Sequence, residues 1–224
     1  MPRSLPPAAP LADLQATLAL VAEMVMLRDR GTGGHLRRVA QYCGLIAAAL
    51  ERVMPLPVGY AALLASFAPL HDVGKVGIPD RILLKPAGLD AEEQRIMRSH
   101  VVLGMALIER VLEVLHLSEV PAVQVLREVV AHHHEALDGS GYPRGLRGEE
   151  VSLAGRIVAV ADIYDSLTQE RPYKQALADA EALAILREMV AAGKLDGRCL
   201  EALESCGQIR AAIRSSAGGG GCGR

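Results

Sequence analysis

Tryptophan is absent from the 224 residues, and one phenylalanine with five tyrosines brings the aromatic share to only 3%. A core without large rings must be assembled from Ala, Leu, Val and Ile, which suits closely packed helices. An excess of positive charge is missing too. The formal net charge is −2, which argues against general or duplex nucleic-acid binding, because that needs a basic face to displace counterions from phosphate. A small anionic ligand stays open, since a metal site brings its own positive field. The four cysteines, Cys43, Cys199, Cys206 and Cys222, include no CxxC spacing, so neither a zinc knuckle nor a redox pair is indicated. Reduced thiols are the simplest reading, with Cys222 exposed in a glycine-rich stretch. Long apolar runs are lacking: 17–27 and 60–70 are too short to span a bilayer, and Glu23 interrupts the first. Residues 2–10 hold no apolar segment of the signal-peptide kind. A cytoplasmic protein without a membrane span is expected.

What is present is a folded composition, 50% hydrophobic and 22% charged. Four prolines mark 1–10 as a disordered lead-in, and 215–224 reads as a flexible Gly-rich tail. Between them helical periodicity is nearly continuous. It predicts helices over 11–28, 35–53, 59–72, 91–115, 120–134, 154–168 and 180–192, with a shorter one near 200–214. Asp90 with Glu93 three residues later forms a capping-box-like start. Two Gly/Pro-rich loops, 74–87 and 138–148, interrupt the pattern, and no strand-rich region or fixed-period repeat appears. One all-α domain over 11–214 is the economical architecture. In the first predicted helix, Leu18, Val21, Met24 and Val25 form an apolar stripe; burial in the same domain is favoured over a dimer contact.

Chemistry concentrates in three places. His71-Asp72, leaving an apolar helix toward Gly74 and Lys75, offers an imidazole and a carboxylate able to bridge two cations; alone, such a pair is more often a surface feature of a helix end. Three consecutive histidines, His132-His133-His134, precede Glu135 and the run Asp138-Gly139-Ser140-Gly141-Tyr142-Pro143. They cannot all face a core, and here metal binding is the stronger reading. Asp162 emerges from an apolar helix with Asp165 one turn on; it is either a metal ligand or neutralised by Arg156 or another cation. His35 and His100 gain meaning only in combination with these. His132 either supports the ligands from behind or faces solvent, His116 reads as a surface residue, and Arg37 with Arg38 as a solvated helix face from which one of them could approach phosphate.

Taken in order, His35, His71-Asp72 with Gly74-Lys75, His100, His133-His134-Glu135, Gly141-Tyr142-Pro143 and Asp162 resemble the HD-GYP family of cyclic di-GMP phosphodiesterases. The flanking Ile78-Pro79-Asp80 and Arg171-Pro172-Tyr173 belong to the same likeness, which covers roughly 11–210. An HD pair alone is a weak signal; the His-His-Glu block at its distance from Asp-Gly-Ser-Gly-Tyr-Pro is strong. The resemblance implies an HD-type helical bundle with the Gly/Tyr/Pro loop beside a metal site. It implies His35, His71, Asp72, His100, His133, His134 and Asp162 as metal ligands, with Asp72 bridging. It further implies Asp72 and Lys75 as catalytic residues, and Lys75, Tyr142, Arg171 and Lys174 as substrate contacts. Many members carry a Glu four residues before the first His, where it ligates a third ion; this chain has Gly31 there. Two divalent transition ions, iron or manganese, are therefore expected.

Coordination arithmetic agrees. Two six-coordinate ions offer about twelve positions, and seven ligands with one bridging fill about eight. A bridging hydroxide takes about two more and leaves roughly two for phosphate oxygens. The expected activity is hydrolysis of cyclic di-GMP to pGpG, GMP or both by that hydroxide. Alternatives are an HD phosphohydrolase of another nucleotide, or a weakly active or silent cyclic-dinucleotide receptor. Since 1–10 hold no sensory module, regulation is expected through a protein partner or a homodimer.

Overall fold

The computed structural model describes residues 14–17, 20–21, 32–170 and 175–215. Gly31, Arg171, Lys174 and Cys222, with Leu18, Met24 and Val25 of the predicted stripe, lie outside them. Among the described residues the regular structure is helical, and one isolated antiparallel bridge, Asp138 to Arg147, closes a loop. In chain order the helices are α1 (Thr32–Leu50), α2 (Tyr60–Phe67), the short α3 (Asp80–Leu83), α4 (Ala91–Arg98), α5 (His100–Val114) and α6 (Val123–His132). They continue as α7 (Leu153–Thr168), α8 (Asp179–Ala191), α9 (Gly197–Ser205) and α10 (Gly207–Ser215). The all-α expectation holds.

α1 and α7 form the centre. α1 packs on α2, α7 and α9, while α6 packs on α5 and α7. α7 is buried on every side along Ala154–Ala161, a stretch that is apolar but for Arg156, whose charge is met by Asp196; a helix with almost no polar face needs neighbours all round. The scarce rings are spent here, Tyr42 of α1 meeting Tyr164 of α7 edge to face at 5.1 Å. Leu14, ahead of α1, is fully buried in the same core and Val21 packs against it.

Four of the predicted segments are shortened or divided, beyond shifts of a few residues at other helix ends. The predicted helix 59–72 ends as α2 at Phe67. Pro69 lacks an N–H and tightens the next turn into the 3-10 segment Ala68–Leu70, so His71 and Asp72 lie in a turn beyond the helix. The loop predicted over 74–87 contains a second 3-10 segment, Val73–Gly77, and α3. The predicted helix 91–115 divides at Ser99, whose hydroxyl donates to Ile96 O at 2.6 Å and competes with the backbone ladder; the break re-aims His100 into the interior. The predicted final helix 200–214 divides at Cys206 into α9 and α10. The capping box does form, Asp90 accepting from Glu93 N and Glu93 from Asp90 N, both at 2.9 Å.

Gly74 sets the distance between two of these pieces. A Cβ there would collide with the backbone at His100 O and Gly104 N, neither of which can rotate away. Only glycine lets the His71–Asp72 turn touch the start of α5. Gly74→Ala is expected to cost about 2 kcal/mol or more, read as a lower urea midpoint at unchanged slope.

Candidate metal centre

Five segments converge on one point: α1, the turn after α2, the start of α5, the two residues that follow α6, and α7. Asp72 lies in the middle. Its Oδ2 is 3.3 Å from His71 Nε2, and its Oδ1 is 3.3 Å from His100 Nε2 and 4.0 Å from His133 Nε2. One ligand atom each from Asp72, His100, His133 and His134 lie within 4.8 Å of one another, as do atoms from His35, His71 and Asp72. Asp72 belongs to both groups. Asp162 joins from α7, its Oδ1 3.3 Å from His35 Nε2. All seven residues expected from the sequence therefore meet, although their positions span more than half the chain.

Hydrogen bonds behind the rings fix which nitrogen faces the centre. His71 Nδ1 bonds Ala68 O at 2.8 Å, His100 Nδ1 bonds Met97 O at 2.8 Å, and His133 Nδ1 bonds Val130 O at 3.0 Å. A carbonyl only accepts, so each Nδ1 carries the proton and each neutral Nε2 turns a bare lone pair inward. His100 Nε2 and His133 Nε2 stand 3.3 Å apart. Two lone pairs at that distance repel unless a cation or proton lies between them. His71 Nε2 and Asp72 Oδ1 are buried and make no hydrogen bond at all. Buried polar atoms are costly without a partner, and this donor set, imidazole with carboxylate, fits a divalent transition ion. The residues present fit a metal.

Electrostatics point the same way. Burial pushes His133 well below the usual imidazole range, lowers His100, and takes His134 down to about 4, so these rings stay neutral, as ligands must. Burial opposes ionisation of Asp72, yet Lys75 and His71 hold its carboxyl well below the usual range. Asp162 is likewise lowered against its burial, chiefly by His35 and His71. His35 differs: burial works against its charge, but Asp162 and Asp165 together raise it to about 9.

That difference traces to a strut the sequence reading did not assign. His35 Nδ1 meets Asp165 Oδ2 at 2.7 Å, a carboxylate instead of a carbonyl, and Arg38 clamps Asp165 through Nε at 2.6 Å and Nη2 at 3.0 Å. The expectation that Arg38 sits on a solvated face is thus corrected; Arg37 is exposed, but Arg38 is buried because its charge has a buried partner. The signal was available: His35 with Arg38 on α1, and Asp162 with Asp165 on α7, are both three apart and so form two rungs between facing helices. Arg156 does not neutralise Asp162. It binds Asp196 at 3.1 Å and Glu149 at 3.2 Å.

The other expected residues are placed as follows. Lys75 Nζ donates to Asp72 Oδ2 at 2.6 Å, so it rests on the shared carboxylate. Tyr142 stacks on His134 with ring centres 4.7 Å apart and an interplanar angle of 29°. Glu135 holds that loop: its two oxygens accept from Arg144 N at 2.7 Å and Leu146 N at 3.0 Å. Gly141 passes so close to Glu135 and Ala136 that a Cβ would strike their backbone. His132 points away from the centre, accepting Ser152 N–H at 3.2 Å. His116 is exposed, as expected. A cavity of about 240 Å³ opens beside His133, His134 and Asp162, with Arg98 at its edge, a residue sequence reasoning passed over.

With this geometry in view, comparison with known proteins is direct. The profile of the HD domain family matches residues 19–199. The chain belongs to the HD domain family. The HD-GYP likeness agrees with its relatives. A protein of Vibrio cholerae named 3'3'-cGAMP-specific phosphodiesterase 2 is 43% identical over 161 residues, 72% of this chain and 29% of that protein. The cyclic di-GMP phosphodiesterase response regulator RpfG of Xanthomonas campestris is 40% identical over 205 residues, 88% of this chain and 51% of that protein. The chain thus spans about half or less of the length of these relatives. Among solved structures, the HD domain of the L. monocytogenes phosphodiesterase PgpH in complex with cyclic-di-AMP superposes with a TM-score of 0.58 at 13% identity. That match covers 91% of this chain and 98% of the other, and supports the fold. No described helix is long and apolar enough to cross a membrane.

The strut yields a double-variant expectation. Arg38→Met leaves Asp165 without its cation and should cost about 3 kcal/mol in urea unfolding. Arg38→Met with Asp165→Leu should recover most of that stability, yet bind Mn²⁺ more weakly than wild type by about 10-fold or more, because His35 loses the acceptor that orients it.

Proposed function

We propose that this chain is a cyclic-dinucleotide phosphodiesterase with cyclic di-GMP as substrate, acting in the cytoplasm and releasing pGpG, GMP or both. The observation that carries the reading is the convergence of bare Nε2 lone pairs and the Asp72 carboxylate in a buried pocket. Two overlapping ligand groups sharing Asp72 favour two ions, His35, His71 and Asp162 holding one and His100, His133 and His134 the other, with iron or manganese suited to the mixed donors. Such ions, when bound, acidify a water and draw charge from phosphoryl oxygens.

This chain's own residues do the rest. Asp72, kept ionised by Lys75, is the shared anion of the centre. Lys75 is further assigned, on the sequence resemblance, to a non-bridging phosphate oxygen, where it would offset charge building on phosphorus. The Glu135 clamp ties down the loop that carries Tyr142 along one side of the cleft, which favours a preformed wall for the substrate. Arg171 and Lys174 are assigned to the second phosphate on the sequence resemblance alone.

The 43% identity to a protein named 3'3'-cGAMP-specific makes the mixed dinucleotide the competing substrate. Purified full-length protein, loaded with Mn²⁺ or Fe²⁺, is to be incubated with cyclic di-GMP, 3'3'-cGAMP and cyclic di-AMP beside Asp72→Ala. Cyclic di-GMP should be cut most efficiently, and Asp72→Ala should lose both bound metal and at least about 100-fold in rate. A folded, metal-loaded protein that leaves every cyclic dinucleotide intact would instead be a receptor.

A further inference from the structure

The cavity beside His133, His134 and Asp162 is not accounted for by the metal centre. Its lining includes three apolar side chains, Ile163, Met189 and Leu195, and two cations, Arg98 and Lys194. At about 240 Å³ it falls below the roughly 300–1,000 Å³ of clefts that enclose a whole drug-sized ligand. It suits one half of a dinucleotide.

The polar inventory is one-sided. Arg98 rests over the Tyr142 ring, its guanidinium carbon 5.0 Å from the ring centre. A cation–π contact anchors the group without consuming its N–H donors. Lys194 Nζ stands 4.0 Å from Asp138 Oδ2, beyond hydrogen-bond reach. On the acceptor side, both Glu135 oxygens are occupied by Arg144 and Leu146 backbone N–H groups. Asp162 is turned toward His35. Away from the metal centre, to which Asp162 belongs, the charged side chains lining the cavity therefore offer donors to a ligand and no idle carboxylate. Guanine presents two acceptors, O6 and N7, along one edge; adenine replaces one with an N6 amino group, which would face the cations.

The geometry points to a guanine-reading subsite, with Arg98 as the specificity-determining residue and Lys194 in support; it rests on the proposed phosphodiesterase reading for the ligand's identity. One consequence concerns the mixed dinucleotide 3'3'-cGAMP. Its guanine takes this subsite, so the phosphate presented to the centre is fixed. Water adds to that phosphorus, the P–O3′ bond breaks and the 3′ oxygen takes up a proton. One linear isomer forms first, not two.

Binding tests the subsite without needing turnover. Calorimetric titration of the full chain with GMP, IMP and AMP should give similar affinities for GMP and IMP, which share O6 and N7. AMP should bind roughly 10-fold or more weakly. Arg98→Met, on an exposed side chain, should narrow the GMP-to-AMP gap by weakening GMP and IMP more than AMP; Lys194→Met should do so less. Equal affinity for AMP and GMP, or an equal loss for all three nucleotides in Arg98→Met, overturns the proposal. So does early formation of both linear isomers from 3'3'-cGAMP. A persistent GMP preference in a protein that cuts no cyclic dinucleotide would sink the enzymatic reading and leave the subsite standing.

Discussion

Everything in this molecule is arranged around lone pairs that would rather not be together. Three imidazoles, each held from behind by a backbone carbonyl, aim unprotonated nitrogens at one carboxylate in an interior that water scarcely enters. Two of those nitrogens stand 3.3 Å apart with nothing of the protein between them. In low dielectric such an arrangement is repulsive, and the pull of a shared cation is what makes it favourable. The same bonds that fix the tautomers also orient the rings, so the fold supplies both the charge state and the direction of the ligands.

The helices around this centre do different kinds of positioning. α7, apolar on nearly every side, is the post against which α1 and α6 align, and it delivers Asp162 and Asp165 from one face. α1 answers with His35 and Arg38 on the matching face. Pro69 ends α2 early enough for His71 and Asp72 to leave the helix axis, and Gly74 lets that turn lie against the first residues of α5. Glu135 spends its charge on the backbone of the Gly-Tyr-Pro loop, which makes it part of the cleft's frame. Stability and site geometry are thus carried by many of the same contacts.

Much of this was legible in the sequence. Apolar periodicity located the helical segments, and the family resemblance singled out the seven residues that converge; alone, His35, His100 and the His71-Asp72 pair carried little meaning, and only the histidine run at 132–134 favoured a metal by itself. Helix ends were less legible. The break at Ser99 depends on a side-chain bond to Ile96 O, and the end of α2 on one proline, both local contests that periodicity averages over. Arg38 was misread for a related reason. An arginine on a helix reads as solvated until its partner is known, and Asp165 lies 127 positions away. Arg98 escaped notice because its surroundings, Tyr142 and the cavity, are assembled only in three dimensions.

The most direct measurement is a crystal structure of the metal-loaded protein with anomalous data collected at the Mn or Fe edge. The account predicts anomalous density among His71 Nε2, His100 Nε2, His133 Nε2 and the two oxygens of Asp72, with Asp72 shared between ions. Density only at surface sites, with ordered waters hydrogen-bonded to those inward nitrogens, would contradict it.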